Sequence, residues 1–312
     1  MAISAHNITT KLDFINPLQY IGEGDTEATP ANYGVTPTSP TYAVVGNNTR
    51  INPVMDCTHS DVLGLGTEDI LDDGGLLSNA FSLSFSFNPI NINLLKYIWN
   101  ASAAGTANPR ESLSFMYGYK LNGTTYLRYI KGFRPTSATY SVSRGLWEAE
   151  ISGIAKTIST PVTSETDPGT PTYATVETTS APIKHTDGGG SPLAIGGTTY
   201  ADRRFSITCT RGISIMDVNG EANIVYTKLN DRRITWSADV FVGTASSETA
   251  LETAYKAKTK LALTYKFNST GPVTFTTANN IITSYSETPD AGNTDALIAT
   301  IAGRAESATN FS

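Results

Sequence analysis

The chain has 312 residues, enough for two domains that each bury a core, and its 22 Lys and Arg against 28 Asp and Glu give a net charge of −6. With only 16% charged residues it has no general basic stripe, which excludes a sequence-reading nucleic-acid binder. Three His and two Cys, no apolar leader and no uncharged run approaching about 20 apolar residues point to a soluble chain without an export signal, with reduced thiols and no metal or other cofactor.

Residues 1–46 read as an N-terminal arm, punctuated by Pro and Gly and too poor in apolar periodicity to build a core. A first domain, 47–158, opens with Ile51, Pro53 and Met55. Phe81, Leu83, Phe85 and Phe87 then alternate with Ser82, Ser84 and Ser86, which predicts a strand with one apolar and one hydroxyl face. Leu94, Leu95, Ile98 and Trp99 make a helix stripe, capped at Asn91 or Asn93. Leu113, Phe115, Tyr117 and Tyr119 form the next strand, which turns at Asn122-Gly123, and Ile151, Ile154 and Ala155 lie in the closing segment. Residues 159–194, with Pro161, Pro168, Pro171, Pro182, Pro192 and Gly188 to Gly190, read as a linker.

The series recurs in a second domain, 195–312. Phe205, Ile207 and Cys209 answer the opening strand. Ile234, Trp236, Ala238 and Val240, alternating with Thr235, Ser237 and Asp239, follow 153 positions after the Phe81 block. Ala250, Leu251, Ala254 and Tyr255 repeat the helix stripe 156 positions on, with Thr249 and Glu252 in capping-box order and Ser246 or Ser247 as earlier caps. Leu261, Leu263, Tyr265 and Phe267 follow at 148, the turn Thr270-Gly271 after them, and Ile298, Ile301 and Ala302 at 147. Five blocks in one order predict a tandem duplication in which residues from about 40 to 158 and about 195 to 305 share a topology.

Motifs for chemistry are weak. Glu68, Asp69, Asp72 and Asp73 lack the register of a calcium loop, and His185 with Asp187 has no nucleophile signature beside it. Gly22 and Gly24 precede no amphipathic helix, so phosphate binding is not expected. Asp231 and Glu248 would suit a carboxylate-pair hydrolase, but no spacing argument brings them together. The expected protein is not an enzyme.

From Asn16 to Gly46 a Glu-containing strand leads into Tyr33-Gly34-x-x-Pro37 and then Pro40-x-Tyr42, which resembles the opening of the tail tube proteins of tailed viruses. The layout of strand, helix, long hairpin and closing strand, with Asp231 to Trp236 running toward the helix, is similar over nearly the whole chain; the long Pro-rich linker is a departure. The resemblance implies a mainly β fold of two tandem tail-tube-like β-barrel or sandwich domains, each flanked by one helix. Three such chains would close a pseudo-hexameric ring, and stacked rings would conduct the genome. It places the chain in the virion tail after assembly in the host cytoplasm, with no membrane insertion. The implied partners are the chain itself, a tape-measure-like protein in the lumen, tail terminator and distal tail proteins, and genomic DNA passing without sequence-specific binding. Within that frame Ser82, Ser84, Ser86, Thr235, Ser237 and Asp239 are expected to line the lumen, with Lys120, Lys260 and Lys266 on other strands as competing candidates. The arm and linker, through Tyr20, Tyr33, Pro37, Tyr42, Pro168 and Tyr173, are expected to make contacts between subunits. The alternative is another β-rich virion decoration or adhesin protein that binds host-surface carbohydrate.

Overall fold

Alternation of apolar and hydroxyl side chains over most of the chain demands strands, and the computed structural model is mainly β. It describes residues 13–25, 30–63, 70–91, 93–94, 97, 111–121, 123–143, 145–163, 181–216, 224, 226–267, 274–289 and 297–305.

The first half contains β1 (Asp13–Gly22), β2 (Ala43–Val44), β3 (Asn47–Leu63), β4 (Ile70–Asn88), β5 (Leu113–Leu121), β6 (Thr124–Ser143), β7 (Glu148–Ala155) and β8 (Thr157–Ile158). The second contains β9 (Leu193–Ile195), β10 (Thr198–Tyr200), β11 (Asp202–Met216), β12 (Tyr226–Val242), the helix α1 (Ala245–Ala257), β13 (Leu261–Lys266), β14 (Thr274–Pro289) and β15 (Leu297–Ala305). Pairing is antiparallel throughout and runs β3-β4-β7-β6-β5-β1-β2 in the first half. It runs β11-β12-β15-β14-β13-β9-β10 in the second, the same order element for element. β6 also pairs β11, so the halves join edge to edge in one sheet that is not closed.

The irregularities repeat as well. Where β6 passes from β5 to β7 a bulge follows Pro135, which faces Gly153; 147 positions later a bulge follows Ile282, which faces Gly303. A bulge bends a strand. Here it lets β5, β1 and β2 fold back over the apolar face of β4, where Phe85 meets Phe115 at 5.3 Å and Phe133 at 6.1 Å between ring centres.

Three expectations are corrected. Phe85 faces Ile151 and Ala238 faces Ile301, so the closing strands match 150 positions apart rather than 147. The i, i+3, i+4 spacing that suggested 147 is helical, and on a strand it puts Ile154 on the half-exposed face opposite buried Ile151. The arm does build a core, because β1 and β2 hold the places that β9 and β10 hold in the second half, and Leu18, Tyr20, Val44 and Val45 are buried. The cap of α1 is Thr244, whose hydroxyl accepts from the Ser247 N–H at 3.2 Å, because its extended backbone turns the side chain onto the first turn. α1 buries Leu251 and Ala254. The first expected helix lies outside the described residues except for its cap candidates Asn91 and Asn93, the Asn93 N–H donating to Asn91 Oδ1 at 3.0 Å, buried Leu94 and half-buried Tyr97.

A methyl group at Gly153 would strike the Arg134 carbonyl and stand 2.6 Å from the Phe133 ring; one at Gly303 would stand 2.5 Å from the Trp236 ring and 2.8 Å from the Ile281 carbonyl. Gly153→Ala and Gly303→Ala should each cost about 1–3 kcal/mol through overpacking, measured by urea unfolding. Tolerance of both would show that the closing strands are not held this tightly.

Candidate functional site

β3-β4-β7-β6-β11-β12-β15-β14 lie side by side, and their registers set side chains of like chemistry in rows across both halves. One row runs Arg50, Ser86, Glu150, Thr139, Thr208, Thr235 and Arg304; its neighbour runs Ser141, Ser206, Ser237, Ala302 and Ser284. Ser84 lies between Asn52 and Ser152, Ser82 beside Val54, and Asp239 between Arg204 and Thr300, whose hydroxyl donates to Asp239 at 2.9 Å. All six residues expected on one polar wall therefore share one face, each half-buried or exposed. The opposite face buries Phe85, Phe87, Ile151, Tyr140, Ile207, Trp236, Ala238 and Ile301. Period-two alternation produces both faces at once.

The sequence reading missed that this face also carries exposed Arg50, Arg204, Arg233 and Arg304 against Glu148, Glu150 and half-buried Asp239. It is hydroxyl-rich and nearly charge-balanced. Lys120 on β5, Lys260 before β13 and Lys266 on β13 are exposed but sit in the flanking layer.

The seam between the halves is seven consecutive β6–β11 pairs, from Ser143↔Arg204 to Ser137↔Thr210, with the Thr139 and Thr208 hydroxyls 3.0 Å apart across it. Beneath it Trp147, just ahead of β7, packs against Phe205, Tyr265 and Phe267 at 6.2, 5.2 and 4.6 Å between ring centres. The end of the linker is tied to the same place. The Trp147 N–H donates to the Ile183 carbonyl, the Lys266 N–H to the Pro192 carbonyl, and His185 Nε2 lies 3.0 Å from Asp202 Oδ2. Cys209 is buried and reduced, and burial pushes its thiol up to about 11.

A second feature lies in the arm that was expected to contact other subunits. Where the second half turns from β9 to β10 through Gly196-Gly197, the first half inserts residues 23–42 between β1 and β2. This insertion carries a buried polar cluster. Glu23 accepts from the Gly34 N–H at 2.7 Å, the Gly132 N–H at 2.8 Å and the Ser114 hydroxyl at 2.6 Å, and Glu111 accepts from the Gly24 N–H at 2.6 Å. Arg134 pairs with Asp25, donates to the Tyr226 hydroxyl at 3.3 Å, and its guanidinium lies over the rings of Tyr33 and Tyr226. Because Tyr226 belongs to β12, the insertion clamps the second half to the first. Glu23 and Asp25 lie just beyond the end of β1 and Arg134 lies within β6, and nothing local in the sequence pairs them.

This burial corrects the expected contact set. Tyr20, Tyr33 and Tyr42 are 5%, 0% and 2% exposed, spent on this chain's own interior; Pro37 is half-buried, and Pro168 and Tyr173 lie outside the described residues. Asp231 is exposed on β12 and Glu248 opens α1; of the acidic cluster, Asp72 and Asp73 lie on β4 and Glu68 and Asp69 lie outside the described residues. Among the described residues no group of three or more His, Cys, Asp and Glu is placed to hold a metal ion, and no helix is long and apolar enough to cross a membrane. The sequence matches no protein-family model and no curated protein.

Asp25→Asn or Arg134→Met leaves one member of a buried ion pair alone and should cost about 3–5 kcal/mol in urea unfolding. A loss below about 1 kcal/mol, the range of exposed ion pairs, would show the clamp to be dispensable. Burial also pushes the Tyr33 phenol up from 10.0 to about 12. A raised folded-state value gives stability that is complete below the unfolded value and lost as pH rises through the folded one, so stability should fall between pH 10 and about 12, with tyrosinate absorbance appearing together with unfolding. Tyr33→Phe should flatten part of that fall.

Proposed function

We propose that this chain is a structural, non-enzymatic tail tube subunit of a tailed virus, two tandem sandwich-like modules that assemble with copies of itself into closed rings whose hydroxyl face lines a conduit for the genome. The observation that carries the reading is the continuous polar face over eight strands, built from two modules of one topology joined edge to edge. A sheet built this way grows by adding modules, and its open edges are satisfied by closure. Three chains would supply about 24 such strands, which at ~4.8 Å spacing and ordinary barrel tilt give a ring roughly 50 Å across.

The chemistry of the face suits passage rather than retention. A wall of Lys and Arg would hold DNA by counterion release, whereas hydroxyls offer no charge, and Glu148, Glu150 and Asp239 offset the four arginines. The partners that follow are other copies of the chain, a tape-measure-like protein in the lumen, terminator and distal tail proteins at the ends, and DNA in transit; the site of action is the virion tail.

Purified protein should give rings or tubes by negative-stain electron microscopy, with a ring mass of three chains by light scattering. Discrete particles without a channel, or monomers that bind a glycan, would instead support a decoration or adhesin protein. Ser84→Lys with Ser237→Lys should change stability by no more than about 0.5 kcal/mol per site and leave tubes intact. The variant tubes should retain duplex DNA at low salt and release it as salt rises, while the parent tubes retain little. Identical behaviour of parent and variant tubes would place this face outside the channel.

A further inference from the structure

We infer that β3 of one chain takes β14 of a second copy as its next strand, antiparallel, in the register that β11 and β6 already show within the chain. The inference rests on the ring reading only for the number of copies that close.

β3 pairs on one side only, with β4, and β14 beyond Asn280 pairs on one side only, with β15, among the described residues. Their counterparts in the repeat, β11 and β6, pair each other. β3 precedes β11 by 154 positions and β14 follows β6 by 147, so the Thr139↔Thr208 pair becomes Ser286↔Val54 and the Ala138↔Cys209 pair becomes Tyr285↔Met55.

Exposure identifies what is missing. At the internal seam Cys209, Phe205, Trp147 and Phe267 are 1%, 0%, 0% and 1% exposed. Their counterparts at the open edges are Met55, 52% exposed, and the half-buried Ile51, Leu297 and Tyr119. Val54 is 44% exposed as well. Each is more exposed than its counterpart at the internal seam.

The occupant is a second copy rather than a foreign strand, because the seam needs a strand edge and a side chain beside it in fixed relation. Inside the chain β6 brings Trp147 onto Phe205 and Phe267. β14 would bring Leu297 onto Ile51 and Tyr119 of the next copy. Pro53 keeps its ladder place opposite Leu83, so its missing N–H faces the open edge, which weakens that edge as a template for arbitrary strands and leaves side-chain fit to select the partner. The contact is head to tail, so it closes into a ring or continues, and neither copy is left satisfied by a simple two-fold dimer.

The test is cysteine cross-linking in a Cys57→Ser background. Thr139→Cys with Thr208→Cys calibrates the geometry by linking within one chain. Val54→Cys with Ser286→Cys should link between chains on oxidation with copper phenanthroline and give a ladder ending at a closed species. A mixture of the two single variants should give dimers alone, and the off-register pair Asn52→Cys with Ser286→Cys should remain unlinked. Absent or register-independent linking in particles that microscopy shows as rings would overturn this strand assignment and leave the ring reading standing. Monomers at every concentration, with no cross-link, would overturn both.

Discussion

Every backbone N–H and C=O in a sheet needs a partner, and this constraint governs the protein. A module of β3, β4, β7 and β6 satisfies its internal groups but leaves an edge on either side. The chain resolves two of its four inner edges by joining β6 to β11, and that seam fixes everything that crosses it: the common polar face, the aromatic cluster around Trp147, and the docking of residues 183–192. Remove the seam, and Phe205, Ile207 and Cys209 lose the cover that keeps them in the interior.

Around this seam the two modules differ. The second makes its β9–β10 turn with two glycines, whereas the first inserts 20 residues that place Glu23 and Asp25 under β5 and β6. The cost of burying those carboxylates is offset by five donors on Glu23 and Asp25 taken together with the Arg134 ion pair, so the cluster fixes one conformation of the insertion rather than adding much net stability. The same arginine reaches Tyr226 of the second module, so the insertion acts on the joint as well as on its own half.

Much of this was legible because strand alternation is a local property. Phe81 to Phe87 and Ile234 to Val240 declare their faces without reference to any neighbour, and the polar wall followed. Register and adjacency are not local. Nothing in Ile151, Ile154 and Ala155 tells a strand from a helix, so the closing block was matched three positions off, and nothing in the arm's sparse apolar residues shows that β5 stands ready to receive Leu18 and Tyr20. The clamp escaped for a related reason. Asp25 and Arg134 are 109 residues apart, and their charges read as solvated until the fold brings them together. The cap of α1 moved to Thr244 because a cap depends on where the preceding strand lets go, which the helix sequence alone does not encode.

The covalent fusion of the modules also changes the thermodynamics of assembly. Each association of free bodies loses translational and rotational freedom, an unfavourable term of about 4–15 kcal/mol at standard concentration. A ring of six separate modules would incur that loss at five successive additions, whereas in the proposed ring of three chains every second seam is already intramolecular and only two additions remain. Tethering raises the effective concentration of β6 near β11 far above that of any free strand. The fused chain should therefore begin to assemble at a lower protein concentration than its separated halves, and its incomplete intermediates are fewer in kind.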